Sequence, residues 1–200
     1  MGIVMTELSM SLDGLVATPT GGVDHIFDWY GNGPVEVVMP SGDITVHVSE
    51  ASAGHLREGF ARCGACLTGR NTFDFTSGWG GRHTLDVPVV VVSHSVPDGW
   101  PRDDAPFFFE HTIEAAVARA LEVAGGRDVG VASAATVQET IRAGLLDEIV
   151  INLAPVLLGE GIRLFDHLGA TVPLEQYRVV PGTGVTHLYY RVVKGSVVER

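Results

Sequence analysis

Cysteine is scarce in this chain, and both cysteines sit in one place. They occur as Cys63-Gly64-Ala65-Cys66 in a sequence of 200 residues. A redox pair of this spacing needs its first thiol at a helix N-terminus, which lowers the pKa. Here the pair falls between a predicted helix and a predicted strand, at the opposite helix end. A structural zinc site needs a second pair, which the sequence lacks, and the eight histidines form no visible metal constellation. The two thiols are therefore read as reduced and structural. Cations are in the minority as well: 13 Lys and Arg stand against 24 Asp and Glu, a formal net charge of −11. Nucleic-acid binding needs clustered cations, so that class is excluded. No apolar run reaches the ~18 residues of a membrane helix. The N-terminus lacks a basic segment followed by an apolar core, so no signal peptide is expected. The default is one cytoplasmic domain over residues 1–200, long enough to bury a full core. No internal repeat or low-complexity segment is visible.

What is present alternates between strand and helix patterns. Residues 3–10 read as a central strand that runs into the turn signal Asp13-Gly14. A Gly- and Pro-rich stretch from Thr18 to Ser41 carries Phe27, Trp29 and Tyr30. It is either a functional lid or a surface loop anchored by its aromatics. Ser49 caps a helix over Glu50–Arg62, and Ala65–Thr68 is a short buried strand ending in Gly69-Arg70. Val87–Val92 is β-branched and reads as buried on both faces. Phe107–Phe109 is a strand, and Thr112 caps a helix over Ile113–Ala124. Val129–Ala132 then leads through Ser133, Ala134 and Ala135 into a helix marked by Val137, Ile141 and Leu145, which stops at Gly144. A strand over Asp147–Pro155 follows, and Tyr177–Val180 and His187–Val193 close the chain as a hairpin. This pattern predicts an α/β fold: a mostly parallel sheet with helices on both faces and antiparallel strands late. Ligands of such sheets bind beyond the carboxyl ends of the strands. Four marked turns follow strand ends (Asp13-Gly14, Gly69-Arg70, Ser93-His94 and Ser133-Ala134), and parallel pairing would bring all four to one crevice. The small residues at Ser133–Ala135 suit a pyrophosphate at a helix N-terminus. They equally suit a plain tight turn where helix and sheet pack closely.

Several segments, in order, resemble one family. They are Met10-Ser11-Leu12-Asp13-Gly14, Gly69-Arg70-Asn71-Thr72-Phe73, Gly78-Trp79-Gly80-Gly81-Arg82 and Pro88–Ser93, then Ala143–Glu148 and Pro155–Gly161 with Leu164-Phe165. The chain resembles the dihydrofolate reductase-like family that includes the reductase domain of the bacterial bifunctional riboflavin-biosynthesis protein. The resemblance implies a three-layer αβα sandwich with a twisted eight-stranded sheet, NADPH across the strand ends, and hydride transfer to a pterin-like or pyrimidine-like heterocycle. A homodimer is implied on the same ground.

Carried over by residue, Gly69, Arg70, Asn71 and Thr72 would meet the phosphates, with Arg70 suited to a 2′-phosphate. Ser93 and His94 would lie on the adenosine side. Ser133, Ala134, Ala135, Thr136 and Val137 would hold the pyrophosphate, and Leu15, Val16 and Ala17 would line the nicotinamide. Phe73, Leu158, Gly159 and Glu160 would border the substrate. Asp13 would order the lid or relay a proton, unless it only caps its turn. Arg70 could instead be a surface ion-pair partner, and His94 a solvated loop residue. Two departures stand out. Ser133-Ala134 replaces a Gly-Gly pair that carries a non-proline cis bond in dihydrofolate reductases, and such a bond costs about 3 kcal/mol. The helix carboxylate that holds a pterin has no clear counterpart, Glu58 being the nearest. Two functions follow: a reductase, or a small-molecule-binding protein on the same scaffold with its cofactor site altered at Ser133-Ala134.

Overall fold

The computed structural model describes residues 2–23 and 25–194. In chain order the strands are β1 (Val4–Ser11), β2 (Leu15–Ala17), β3 (Val35–Val38), β4 (Thr45–Val48), β5 (Cys63–Gly69), β6 (Val89–Val92), β7 (Phe107–Glu110), β8 (Asp128–Val131), β9 (Glu148–Ala154), β10 (Ile162–Arg163), β11 (Leu174–Gly182) and β12 (Val185–Val192). The helices are α1 (Glu50–Arg62), α2 (Arg70–Phe75), α3 (Ile113–Val123) and α4 (Ala134–Arg142), with short 3-10 turns at Asp28–Gly31 and Ser77–Gly81. One eight-stranded sheet carries the fold, in the order β11-β12-β9-β1-β8-β5-β6-β7. From β9 to β7 every pairing is parallel, and β12 joins β9 and β11 antiparallel.

The alternation of β1 explains the layering. Val4, Leu8 and Met10 pack with Val117, Val137 and Ile141 of α3 and α4. Met5, Glu7 and Ser9 face the other way, toward the side where α1 lies. There Ala53 and Leu56 of α1 join Trp29 and the β3–β4 hairpin in a second cluster. A third cluster holds Cys63, Cys66 and Phe73 against Val89, Val91 and Phe107. Ser49 and Thr112 cap their helices as expected, accepting from Ser52 N–H at 3.3 Å and Ala115 N–H at 3.2 Å. Both cysteines are free, and burial pushes both thiols up. Among the described residues, no helix is long and apolar enough to cross a membrane.

Within the Thr18–Ser41 stretch, the aromatic Trp29 is an anchor. Trp29 is 1% exposed, and its indole N–H donates to Ser9 Oγ at 3.1 Å. That anchor holds the stretch against β1.

Candidate functional site

Parallel neighbours end at the same edge of a sheet. The order β1-β8-β5-β6 therefore sets the turns after these four strands side by side. Gly69 and the start of α4 come closest: a Cβ on Gly69 would lie 2.9 Å from Thr136 Oγ1 and 3.5 Å from Ser133 Oγ. The first intrahelical bond of α4 runs from Val137 N–H to Ser133 O at 3.0 Å. The N–H groups of Ala134, Ala135 and Thr136 precede it, and the Ser133 side chain caps none of them. Instead, the Ser133 and Thr136 hydroxyls bond each other at 2.9 Å. The Ser133–Ala134 peptide is trans, and Ser133 takes φ 77° and ψ 137°. The backbone here thus keeps an unfavourable dihedral in a non-glycine residue, at a cost of roughly 1–3 kcal/mol.

Below this edge lies a cavity of about 260 Å³ between α1 and the sheet. Its wall runs up β8 through Gly130 and Val131 to Ala132, one residue before Ser133. Phe27, Tyr30 and Met39 close one side, and His83, Thr84 and Leu85 another. A polar network forms its floor beside β9 and β12. Glu7 Oε1 lies 2.9 Å from His55 Nε2. Asn152 Nδ2 also donates to Oε1, at 3.3 Å. His187 Nδ1 donates to Asn152 Oδ1 at 2.7 Å, so its Nε2 accepts from the Ser52 hydroxyl at 2.9 Å. His55 stacks on His187 with centroids 3.8 Å apart, and its Nδ1 meets the Tyr189 hydroxyl at 2.5 Å. Burial raises the Glu7 carboxyl, but the hydrogen bond and charge of His55 and the Asn152 amide outweigh it, so the net shift is downward.

Residues 3–187 match the RibD C-terminal domain family. The chain belongs to that family. It is an oxidoreductase of the dihydrofolate reductase-like type. Among solved structures it resembles a protein assigned to riboflavin biosynthesis from Shewanella sp. PV-4, at 22% identity and a TM-score of 0.72, covering 96% of this chain and 99% of that one. It also resembles the dihydrofolate reductase of Enterococcus faecalis complexed with NADP(H), at 13% identity and a TM-score of 0.58, covering 96% of each. A third is the diaminohydroxyphosphoribosylaminopyrimidine deaminase/5-amino-6-(5-phosphoribosylamino)uracil reductase of Thermotoga maritima, at 12% identity and a TM-score of 0.64. The match covers 96% of this chain and 57% of that longer protein. Comparison with curated proteins finds no match.

Against this RibD-type fold the expected residues divide into groups. Gly69, Arg70, Ser93 and Ser133–Val137 lie at the shared edge. Arg70 is engaged there: Nε donates to both Asp74 oxygens at 2.8 Å and Nη1 to Ser95 O at 3.3 Å. Asn71 is exposed and Thr72 half-buried, and His94 is exposed. Ala134, Thr136 and Val137 are buried, whereas Ala135 is exposed. Leu15 and Ala17 point into the core from β2, and Val16 is half-buried. Asp13 is held down to about 2 by the Ser11 hydroxyl first and then by the Gly159 and Leu158 N–H groups. Gly159 N–H reaches Oδ2 at 2.8 Å and Leu158 N–H reaches Oδ1 at 3.2 Å. Such an anion is a poor proton donor near neutrality, and its evident work is to pin the Leu158-Gly159-Glu160 turn. Phe73 is 3% exposed and packed edge-on against Trp100, Phe107 and Phe109. Glu58 sits on the cavity rim, bonded to Arg178 at 2.8 and 2.9 Å. Sequence reasoning passed over Glu7, though a lone carboxylate in an otherwise apolar strand was a visible signal.

The buried histidines set a pH dependence. Burial first, then the neighbouring His55 ring, pushes His187 down to about 3, and burial pushes His83 down to about 4. Both stay neutral in the folded chain, while the unfolded chain takes up these protons near pH 6.5. Stability from these groups is therefore complete above about pH 6.5 and drains away as pH falls toward 4 and 3. Urea midpoints measured from pH 8 to 4 are expected to stay level down to about 6.5 and then drop. A level profile to pH 4 would contradict the burial of both rings.

Proposed function

We propose that this chain is an NADPH-dependent reductase of a small pyrimidine-like or pterin-like heterocycle. The observation that carries this reading is the juxtaposition of Gly69 with the uncapped start of α4. A helix N-terminus with free N–H groups, beside a turn without a side chain, suits a pyrophosphate. Both hydroxyls of the Ser133–Thr136 pair can turn toward a phosphate oxygen as donors, so the residues present fit the group. Arg70 and Ser93 would hold the adenosine-side phosphate, and the cavity below would take the heterocycle. The bound dinucleotide supplies a hydride. The chain's own residues orient the two partners, exclude water behind Phe27 and Tyr30, and keep Glu7 ionised at the cavity floor. NADP(H) is bound by the Enterococcus dihydrofolate reductase, and riboflavin biosynthesis is the activity named for other relatives of this fold. The homodimer implied by the resemblance belongs to the same proposal.

A second reading rests on Ser133. Its Cβ and its hydroxyl pair stand where glycines would leave room, which favours a binding protein with reduced turnover. Titration with NADPH, followed by quenching of tryptophan fluorescence, separates the two. Saturable quenching below millimolar concentration is expected for the reductase. No response at millimolar NADPH would overturn it.

A further inference from the structure

The eight-stranded sheet ends at β7, and among the described residues no strand lies beyond it. Val89 N–H donates to Pro106 O and Ser93 N–H to Glu110 O, both at 2.9 Å. Phe108 and Glu110 therefore turn their backbone groups toward β6, and Phe107 and Phe109 turn theirs outward. Phe107 N–H is used locally, donating to Ala105 O at 2.8 Å. Phe107 O, both backbone groups of Phe109 and the next outward donor, His111 N–H, have no hydrogen-bond partner among the described residues. Such an edge is a template for another strand, and Phe107-Phe108-Phe109-Glu110 carries none of the lysines or prolines that blunt one. The edge also has room beside it. A groove of about 790 Å³ follows it, walled by Ala115, Ala118 and Arg119 of α3 and by Val96 and Pro101 of the segment before β7.

The open groups complement themselves. About a two-fold axis at Phe109, the Phe109 N–H of each protomer meets Phe109 O of the other, and each His111 N–H meets Phe107 O of the other. Every open group is then used. The same register sets Glu110 of one protomer directly across from Phe108 of the other, on the same face. The Arg119 guanidinium lies 4.3 Å over the Phe108 ring. Glu110 forms no ion pair among the described residues, and Arg119 holds only the exposed Glu122, at 2.6 Å. An acid thus meets a cation on both sides of the axis. We propose that β7 seats a second copy of this chain, paired antiparallel about Phe109 so that two eight-stranded sheets run on as one. The proposal rests on the homodimer included in the reading above and assigns its surface; it does not depend on turnover.

The test is sedimentation equilibrium of the full chain over about 1–100 µM, a span that brackets ordinary dimer affinities. The wild type is expected to reach twice the 21.2 kDa of one chain. Glu110→Arg and Arg119→Glu are each expected to weaken association at least about tenfold, because like charges then face each other across the axis. The double reversal is expected to restore it to within about threefold. General loss of folding cannot imitate that rescue. Amide hydrogen exchange supplies the second readout: Phe109 and His111 N–H are expected to gain protection as chain concentration rises. A wild type that stays monomeric would overturn the proposal together with the homodimer. A dimer indifferent to both single reversals would place it on another surface and overturn this assignment alone. Protection of the two amides that ignores concentration would mean that the chain covers its own edge, and would overturn it too. Failure of the reductase reading shows instead in the NADPH titration, which these association measurements do not need.

Discussion

Replacing His187 with phenylalanine is expected to cost about 2–5 kcal/mol of folding stability. A phenyl ring can still face His55 and Trp29, but it is larger, and its C–H edges must sit further from the neighbouring oxygens than the imidazole nitrogens do, which adds some overpacking to the cost. What is lost is chemistry: Asn152 Oδ1 loses its donor at 2.7 Å and the Ser52 hydroxyl its acceptor at 2.9 Å. His187 is fully buried. Each orphaned buried group costs roughly 1–3 kcal/mol, against a total stability of about 5–15 kcal/mol for a domain. Urea unfolding should show a lower midpoint with an unchanged slope. A loss below about 1 kcal/mol would mean that water already serves these partners.

Trp29→Ala is expected to cost about 3–5 kcal/mol, the range for truncating a large buried aromatic. Trp29 packs among Val37, Met39, Val46 and Val48 and holds Ser9 on β1. Its neighbours Phe27 and Tyr30 form the cavity wall. Losing the anchor should therefore expose residues 18–41 to limited proteolysis and weaken ligand binding together. A small loss of stability with the stretch still protected would show that other contacts hold it.

Local signals reached the regular elements well. The cap at Ser49 and the run to Arg62 gave α1 its bounds, and the β-branched run at Val89–Val92 gave a strand. The strand-helix-strand unit after Asp128 was legible because its apolar spacing changes from alternation to helical period. The β3–β4 hairpin was hidden. Its two strands are four residues each and lie among Pro34, Pro40 and Gly42, so composition read as loop. Helix α2 reads as a turn in the sequence because six residues leave no periodicity to detect. At the candidate site, the strand-end turns follow from parallel pairing once the strands are known. The Glu7 network does not: its members lie on β1, α1, β9 and β12, and contacts such as Ser52 to His187 span 135 positions. Only the folded sheet brings them together.

The account turns on the strand-end turns forming one dinucleotide cleft. Amide NMR spectra of the labelled chain, recorded with and without NADPH, test this most directly. The account predicts that Gly69, Ser93 and the Ser133–Val137 amides shift together as NADPH is added. Shifts confined to one of these turns, or falling elsewhere on the chain, would contradict it.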